Sequence, residues 1–440
     1  MFPNPQDALP LPRLPSLEQY RKLAKELVKA WRSDSPDAVA EWADQWMDAL
    51  ARASGWDTFP NPARRKARAA AEVDDYASQL KKERSDLTLA DAQFAIARSH
   101  GFVSWPEFCA HLDALAHTNS ETAAFEAAAD AIVGGDEARL ARLLAENPDL
   151  VKAHSSREHR ATLLIYVAAN GVEGYRQRTP KNIVRITEML LDAGADIEGT
   201  ADVYGGHCST LGLAATSAHP RIAKLQIPLL ELLLSRGAGM DDGAGGHRRG
   251  VVFACIANGC PEAADFLASR GARIGLTTAA ALGKLDAVRT TLEGGTAGQD
   301  EINEAFRYAC AYGRTETAEY LVNHGSDFTD GPGDGQTGTH YTVITGRLET
   351  LQMLLKYNPP LELENTFGGT VLGQAMWSAA HGGDPDTYIA IIQALLDAGA
   401  KLDEKHVPVN EKVDAFLATK GSLPETKWYW YGEHPRKTKG

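Results

Sequence analysis

Residues 335–349 read GlyGlnThrGlyThrHisTyrThrValIleThrGlyArgLeuGlu, and the leucine-rich stretch after them ends in LeuLeuLysTyrAsn at 354–358. The same ending recurs along the chain. It appears as LeuLeuAspAlaGlyAlaAsp at 190–196, LeuLeuSerArgGlyAla at 233–238 and LeuAlaSerArgGlyAla at 267–272. LeuValAsnHisGlySerAsp at 321–327 and LeuLeuAspAlaGlyAla at 395–400 continue the series. A leucine-rich helix that stops at glycine leaves the helix through positive φ, and asparagine is the other residue that tolerates that conformation. With Gly194, Gly237, Gly271, Gly295, Gly325, Asn358 and Gly399 as markers, the steps are 43, 34, 24, 30, 33 and 41 residues. A period in this range is the mark of a stacked repeat, read before any motif.

The opening stretch gives the repeat a type. It aligns without a gap on the ankyrin consensus GxTPLHxAAxxGHxE, with Thr337, His340, Gly346 and Glu349 matching. AlaCysAlaTyrGlyArgThrGlu at 309–316 and AlaAlaAlaLeuGlyLysLeuAsp at 279–286 supply further fragments. The chain thus resembles ankyrin-repeat proteins over about residues 122–420, some eight units. The resemblance implies an all-α ankyrin-repeat solenoid of helix pairs, with Thr337 and His340 hydrogen-bonding locally to tie loop to helix. Gly338, Thr339 and Thr342 replace the usual Pro, Leu and Ala, which predicts loose packing of that first helix. Neither face of one helix pair can be buried alone, so stacking must create the core. The small side chains of Ala168, Ala169, Ala214, Ala215 and Ala279–Ala281 would let layers approach closely.

Ahead of the array, residues 16–118 read as an N-terminal helical domain behind a Pro-rich leader, 1–15. Ser16 with Gln19, and Ser104 with Glu107, have capping-box spacing. Leu17, Tyr20, Leu23, Ala24, Leu27 and Trp31 recur at three- and four-residue steps, and Trp42 and Trp46 share a face of the next helix. Tryptophan at helical spacing reads as packing ahead of an aromatic ligand cage. The basic runs 64–68 and 81–84 read as a solvated helix face. Residues 89–108 resemble a short helical module, LADAQxxIARxxGFxSWxxF, found ahead of ankyrin arrays in bacterial proteins. Beyond the array, 421–440 is an aromatic and basic tail with four consecutive aromatics from Trp428.

Composition limits the partners. With 58 acidic against 45 basic residues and a net charge of -13, the chain is repelled by nucleic-acid backbones and anionic membranes. Five scattered cysteines without a CxxC pair suit reduced core residues, which points to the cytoplasm and to no metal or cofactor.

Two stretches are longer than a helix–turn–helix requires: GlyValGluGlyTyrArgGlnArgThrProLys at 171–181 and ThrSerAlaHisProArgIleAlaLysLeuGln at 216–226. A third, 379–388, falls in the last full unit. Such excursions are more often functional than structural. In a stack in register the first two should lie side by side. They would gather Tyr175, Arg176, Arg178, His219, Arg221 and Lys224, with Tyr204 and His207 from the loop between. This is a local positive cluster suited to a small anionic ligand. The expected function is a binding scaffold for a protein partner or that anion. The alternative is an enzyme acting on an anionic metabolite, with His207 or His219 as base, Tyr204 or Tyr175 as acid and Arg176 as anion anchor.

Overall fold

The computed structural model describes residues 4–12, 14–54, 62–83, 86–117, 119–240 and 250–425. Trp56 and the aromatic run from Trp428 lie outside them. The chain divides into two compact units, residues 1–273 and 274–440.

The first unit opens with five helices: Leu17–Trp31, Ala38–Ser54, Pro62–Glu83, Leu89–Ser99 and Trp105–Ala116. The apolar stripes meet in one core that holds Tyr20, Leu27, Trp31, Trp42, Trp46, Met47, Phe102 and Phe108. Trp42 and Trp46 pack with ring centroids 5.0 Å apart, and both are buried, so these tryptophans are packing residues. Ser16 and Ser104 accept from the backbone N–H of Gln19 and Glu107 at 3.4 and 3.3 Å. A full reciprocal box forms at Thr88: Asp91 Oδ2 accepts from Thr88 N at 2.7 Å while Thr88 Oγ1 accepts from Asp91 N at 3.4 Å. Arg68, in the basic run, pairs with Glu72 at 2.9 Å and Asp7 at 2.6 Å.

Four helix pairs complete this unit. They are Glu121–Gly134 with Glu137–Glu146, the 3-10 helix Leu163–Ala168 with Ile183–Asp192, Thr210–Ala215 with Gln226–Ser235, and Gly250–Ala257 with Pro261–Ser269. Between the second and third pairs stands an antiparallel hairpin of β1 (Thr200–Val203) and β2 (Gly206–Ser209). The second unit holds four more pairs: Leu276–Leu282 with Leu285–Glu293, Gln299–Ala311 with Thr315–Asn323, Gly338–Ile344 with Leu348–Leu355, and Val371–Ala380 with Pro385–Asp397. Helix Glu411–Thr419 packs on the last pair and buries Val413 and Leu417.

The glycine markers behave as their chemistry requires. Gly194, Gly237, Gly271, Gly325 and Gly399 take φ of 91° to 95°, and Asn358 takes 51°. After each of these glycines the next N–H reaches back five residues, as in Ala195 N to Leu190 O at 2.9 Å and Ala400 N to Leu395 O at 3.0 Å. That bond satisfies a carbonyl the helix end would otherwise orphan.

The unit that contains 335–349 differs from expectation in its packing. Thr337 Oγ1 accepts from His340 N at 3.4 Å, His340 Nδ1 lies 2.9 Å from Thr337 Oγ1, and His340 Nε2 reaches Gly369 O at 3.3 Å. The helix itself is tightly packed. A Cβ on Gly338 would meet the Phe306 ring at 2.5 Å, and Thr339 and Thr342 are buried. Glycine replaces the usual proline because a phenylalanine of the preceding repeat fills that space. The stretch 379–388 is taken up by longer helices, which leaves a four-residue turn at 381–384. Tyr388 anchors it by donating to Val343 O at 2.9 Å.

Candidate functional site

The two excursions of the first unit start next to each other because the helices before them are neighbours. Ala169, with φ of 48°, ends the 3-10 helix, and its carbonyl accepts from Ser217 Oγ at 3.2 Å. Asn170 Nδ2 lies 3.2 Å from both Leu213 O and Thr216 Oγ1. Buried Gln226 folds the second excursion back, with Nε2 3.0 Å from the carbonyls of Ala214 and Ala215. That excursion forms a short helix, Ala218–Ile222, and the first forms a 3-10 turn, Gly174–Arg176.

The hairpin leans over this junction. Its two-residue turn, Tyr204–Gly205, takes φ of 54° and 80°, the left-handed pair that such hairpins need. Tyrosine is a costly residue there, by roughly 1–2 kcal/mol. The turn presents the Tyr204 hydroxyl 2.8 Å from Asn170 Oδ1 and 3.1 Å from Gln6 Oε1. A hydroxyl carries one proton, so the shorter contact is the donated one. The Gln6 contact is satisfied with its carboxamide turned to present an N–H. Strand alternation then separates two neighbours on β2. Cys208 is buried and donates to Val203 O at 3.3 Å. His207 points away, paired with Asp202 at 2.6 Å and 78% exposed.

Together these elements enclose a cleft of about 670 Å³. Tyr204, Asn170, Gln177 and Gln6 form one wall, and Thr216, Ser217, Ala218 and His219 another. Leu213, Gly212, Cys208, Ala254 and Asn258 complete it. None of the described lining residues is Asp, Glu, Lys or Arg. Partial burial lowers the pKa of His219, so this ring is neutral at physiological pH. The lining is an uncharged set of carboxamides, hydroxyls and methyls.

Of the sequence candidates, Tyr204 and His219 line the cleft, whereas Tyr175, Arg176, Arg178 and His207 are not among its lining residues. Arg178, like Arg221 and Lys224 of the second excursion, is exposed. Arg176 is committed inside the unit. Its guanidinium lies 2.8 Å from Glu126, 2.7 Å from Asp130 and 3.6 Å from Glu173. Arg157 sits beside it, 1% exposed, paired with Glu126 at 2.5 Å and with Glu173 at 3.0 Å. His159 Nε2 stands 3.4 Å from Glu173 Oε1, and Tyr166 donates to the same oxygen at 3.5 Å. Tyr175 accepts from Arg157 Nη2 at 3.3 Å, and burial pushes its phenol up. Burial alone would raise the Glu126 carboxyl, but Arg157 and Arg176 outweigh it and hold it at about 2. The same two cations hold fully buried Glu173 well below the usual carboxylate range. Basic groups do converge elsewhere: Lys152, His154 and Arg160 line a smaller cavity of about 370 Å³, which Glu121 and Glu126 also line.

Sequence reasoning missed Gln6, Asn170, Gln177 and Asn258, because lone carboxamides form no motif. A glycine inside the first excursion was the one available hint. A Cβ on Gly174 would lie 2.2 Å from Gln6 O, so another part of the chain passes there.

Stacked helix pairs with a polar groove define a repeat-built binding protein. The repeat type follows from comparison with known families: residues 276–365 and 307–406 match the family model for ankyrin repeats, three copies. Residues 276–406 thus carry ankyrin repeats, which generally mediate protein–protein interaction. No curated protein matches the chain. No helix among the described residues is long and apolar enough to cross a membrane.

Proposed function

We propose that this chain is a cytoplasmic binding scaffold whose first-unit cleft takes an extended, uncharged segment of a partner protein. The observation that carries the reading is the chemistry of the wall. Asn170 is committed to Leu213, Thr216 and Tyr204. Gln177 and Asn258 each give only one N–H to the described residues, to Val172 O and Ala254 O. The donor and acceptor left on each suit the alternating N–H and C=O groups of a peptide. A charged group entering the cleft would lose water and meet no countercharge among the described lining residues. The small anionic ligand expected from sequence therefore draws less support than a peptide, since Arg176 already faces Glu126, Asp130 and Glu173. Acid–base catalysis draws less support as well, since of its candidates only Tyr204 and His219 line the cleft. The hydroxyl of Tyr204 contacts two carboxamides, which take no proton, and His207 pairs with Asp202 outside the cleft. The cytoplasmic setting rests on the five free cysteines.

Panning a random twelve-residue peptide library on the intact chain tests the proposal. Recovered peptides are expected to lose at least tenfold in affinity for Ala218→Trp, which fills the cleft from an exposed rim position. Undiminished binding to that variant, or selection of acidic peptides whose binding collapses in high salt, would refute it.

A further inference from the structure

We infer that the segment Asn4–Leu9 is a displaceable part of the cleft's wall, and that a partner segment takes over the place of Gln6 beside Tyr204. This rests on the peptide-binding reading above. The two ends of the segment are held very differently. Ala8 and Leu9 are buried, Leu9 N donates to Ser99 O at 2.8 Å, and Leu9 O accepts from His100 Nδ1 at 3.0 Å. Burial keeps His100 neutral, at about 3, so Nδ1 can carry the proton this bond needs. Asp7 adds an ion pair to Arg68 at 2.6 Å. The other end meets the cleft through Gln6, whose carboxamide touches a tyrosine that is 46% exposed. Its backbone passes Gly174 so closely that no other residue fits beneath it.

The segment is therefore anchored at residues 7–9 and lightly held at residue 6. A segment bearing an uncharged carboxamide thus completes the wall at Tyr204, where a partner's own carboxamide or peptide group would replace it. A tethered segment acts at an effective concentration of the order of millimolar, so a partner present at micromolar levels must outcompete it. Occupancy by the segment sets a threshold for binding.

The probe is a fluorescein-labelled synthetic peptide of residues 4–12, AsnProGlnAspAlaLeuProLeuPro, added to the full chain. The double substitution Asp7→Lys with Leu9→Ser releases the chain's own segment. It is expected to lower the dissociation constant for the peptide at least tenfold relative to wild type. Gly174→Ala is the control: it should speed amide exchange at residues 7–9 without gaining peptide affinity, because it blocks the seat itself. Equal binding by wild type and the double variant overturns the inference. So does absence of binding by a double variant whose circular dichroism is native. A second arm separates this inference from the reading beneath it. If a library-derived peptide binds the cleft while exchange at Asp7–Leu9 stays unchanged, the resident-segment idea falls and the binding site stands. If the peptide binds in trans but the library yields no cleft-dependent binder, the reverse holds.

Discussion

Arg176→Ala separates a structural guanidinium from a ligand anchor. The side chain is 6% exposed and bridges Glu126 and Asp130 on helix Glu121–Gly134 to Glu173 on the first excursion. Removing it leaves Glu126 and Glu173 sharing Arg157 in a water-poor site. Breaking a buried ion pair from one side costs about 3–5 kcal/mol. The Asp130 contact is half-exposed and adds little, so the lower end, about 3 kcal/mol, is expected. The loss should be local, because a repeat stack distributes stability among neighbouring interfaces. Amide exchange in peptides spanning 121–192 should accelerate by about two orders of magnitude, while the second unit's rates stay unchanged. Arg221→Ala, at an exposed position, should change exchange by less than the equivalent of ~0.5 kcal/mol. The acid limb gives a second reading. Glu126 titrates at about 2 in the folded state against an ordinary 4.5, so its contribution is complete above about pH 4.5 and disappears as pH falls towards 2. With one guanidinium gone its folded value rises, and the acid slope of the variant should be shallower than that of wild type. Native exchange in 121–192 combined with loss of ligand binding would refute this reasoning and restore Arg176 as an anion anchor.

Three further predictions test other joints of the fold and the cleft. Gly338→Ala should destabilise the second unit by about 1–3 kcal/mol through overpacking on Phe306. Adding Phe306→Leu should recover part of that loss in urea melts, and failure of any rescue would put the cost elsewhere. Asn358→Val, at φ of 51°, should lose about 1–2 kcal/mol, whereas Asn358→Gly should stay within a few tenths by the same measurement. Tyr204→Gly should relieve the left-handed turn and slow hairpin exchange by the equivalent of about 1 kcal/mol. It should also weaken cleft-dependent peptides several-fold in fluorescence polarisation, and equal affinity would exclude the hydroxyl from recognition.

The repeat architecture was legible because its marks are local. A glycine that ends a helix, or a threonine three residues before a histidine, states its geometry within one turn of chain. Packing of Gly338 was misread because its reason lies in Phe306, one repeat earlier. The site was half legible. Excess length at 171–181 and 216–226 pointed to the right region, and Tyr204 and His219 do line the cleft. Arg176 was placed in it because a cation in a long loop ordinarily faces water. Its partners Glu126 and Asp130 stand in the preceding helix pair, on the alanine-rich helix Glu121–Gly134, where nothing local marks a partner about fifty residues on. Gln6 was further out of reach, nearly two hundred residues from Tyr204, in a proline-rich stretch that reads as a leader.

Charge and neutrality are sorted by the backbone of the first excursion. Its 3-10 turn has three residues per turn, so side chains three apart eclipse each other. Glu173 and Arg176 are three apart, and both reach the cluster formed with Glu126 and Arg157. Asn170 and Gln177 flank that turn and line the cleft. The chain around this turn thus hides its ions and displays its amides. Buried ions hold the excursion in place only while every partner is present. A wall fixed in this way and bare of charge selects against charge in whatever binds. An anion would give up its hydration for hydrogen bonds that a peptide group forms at much smaller desolvation cost. The residues that looked most like a binding site in the sequence therefore serve to hold in place the plainer ones that make it.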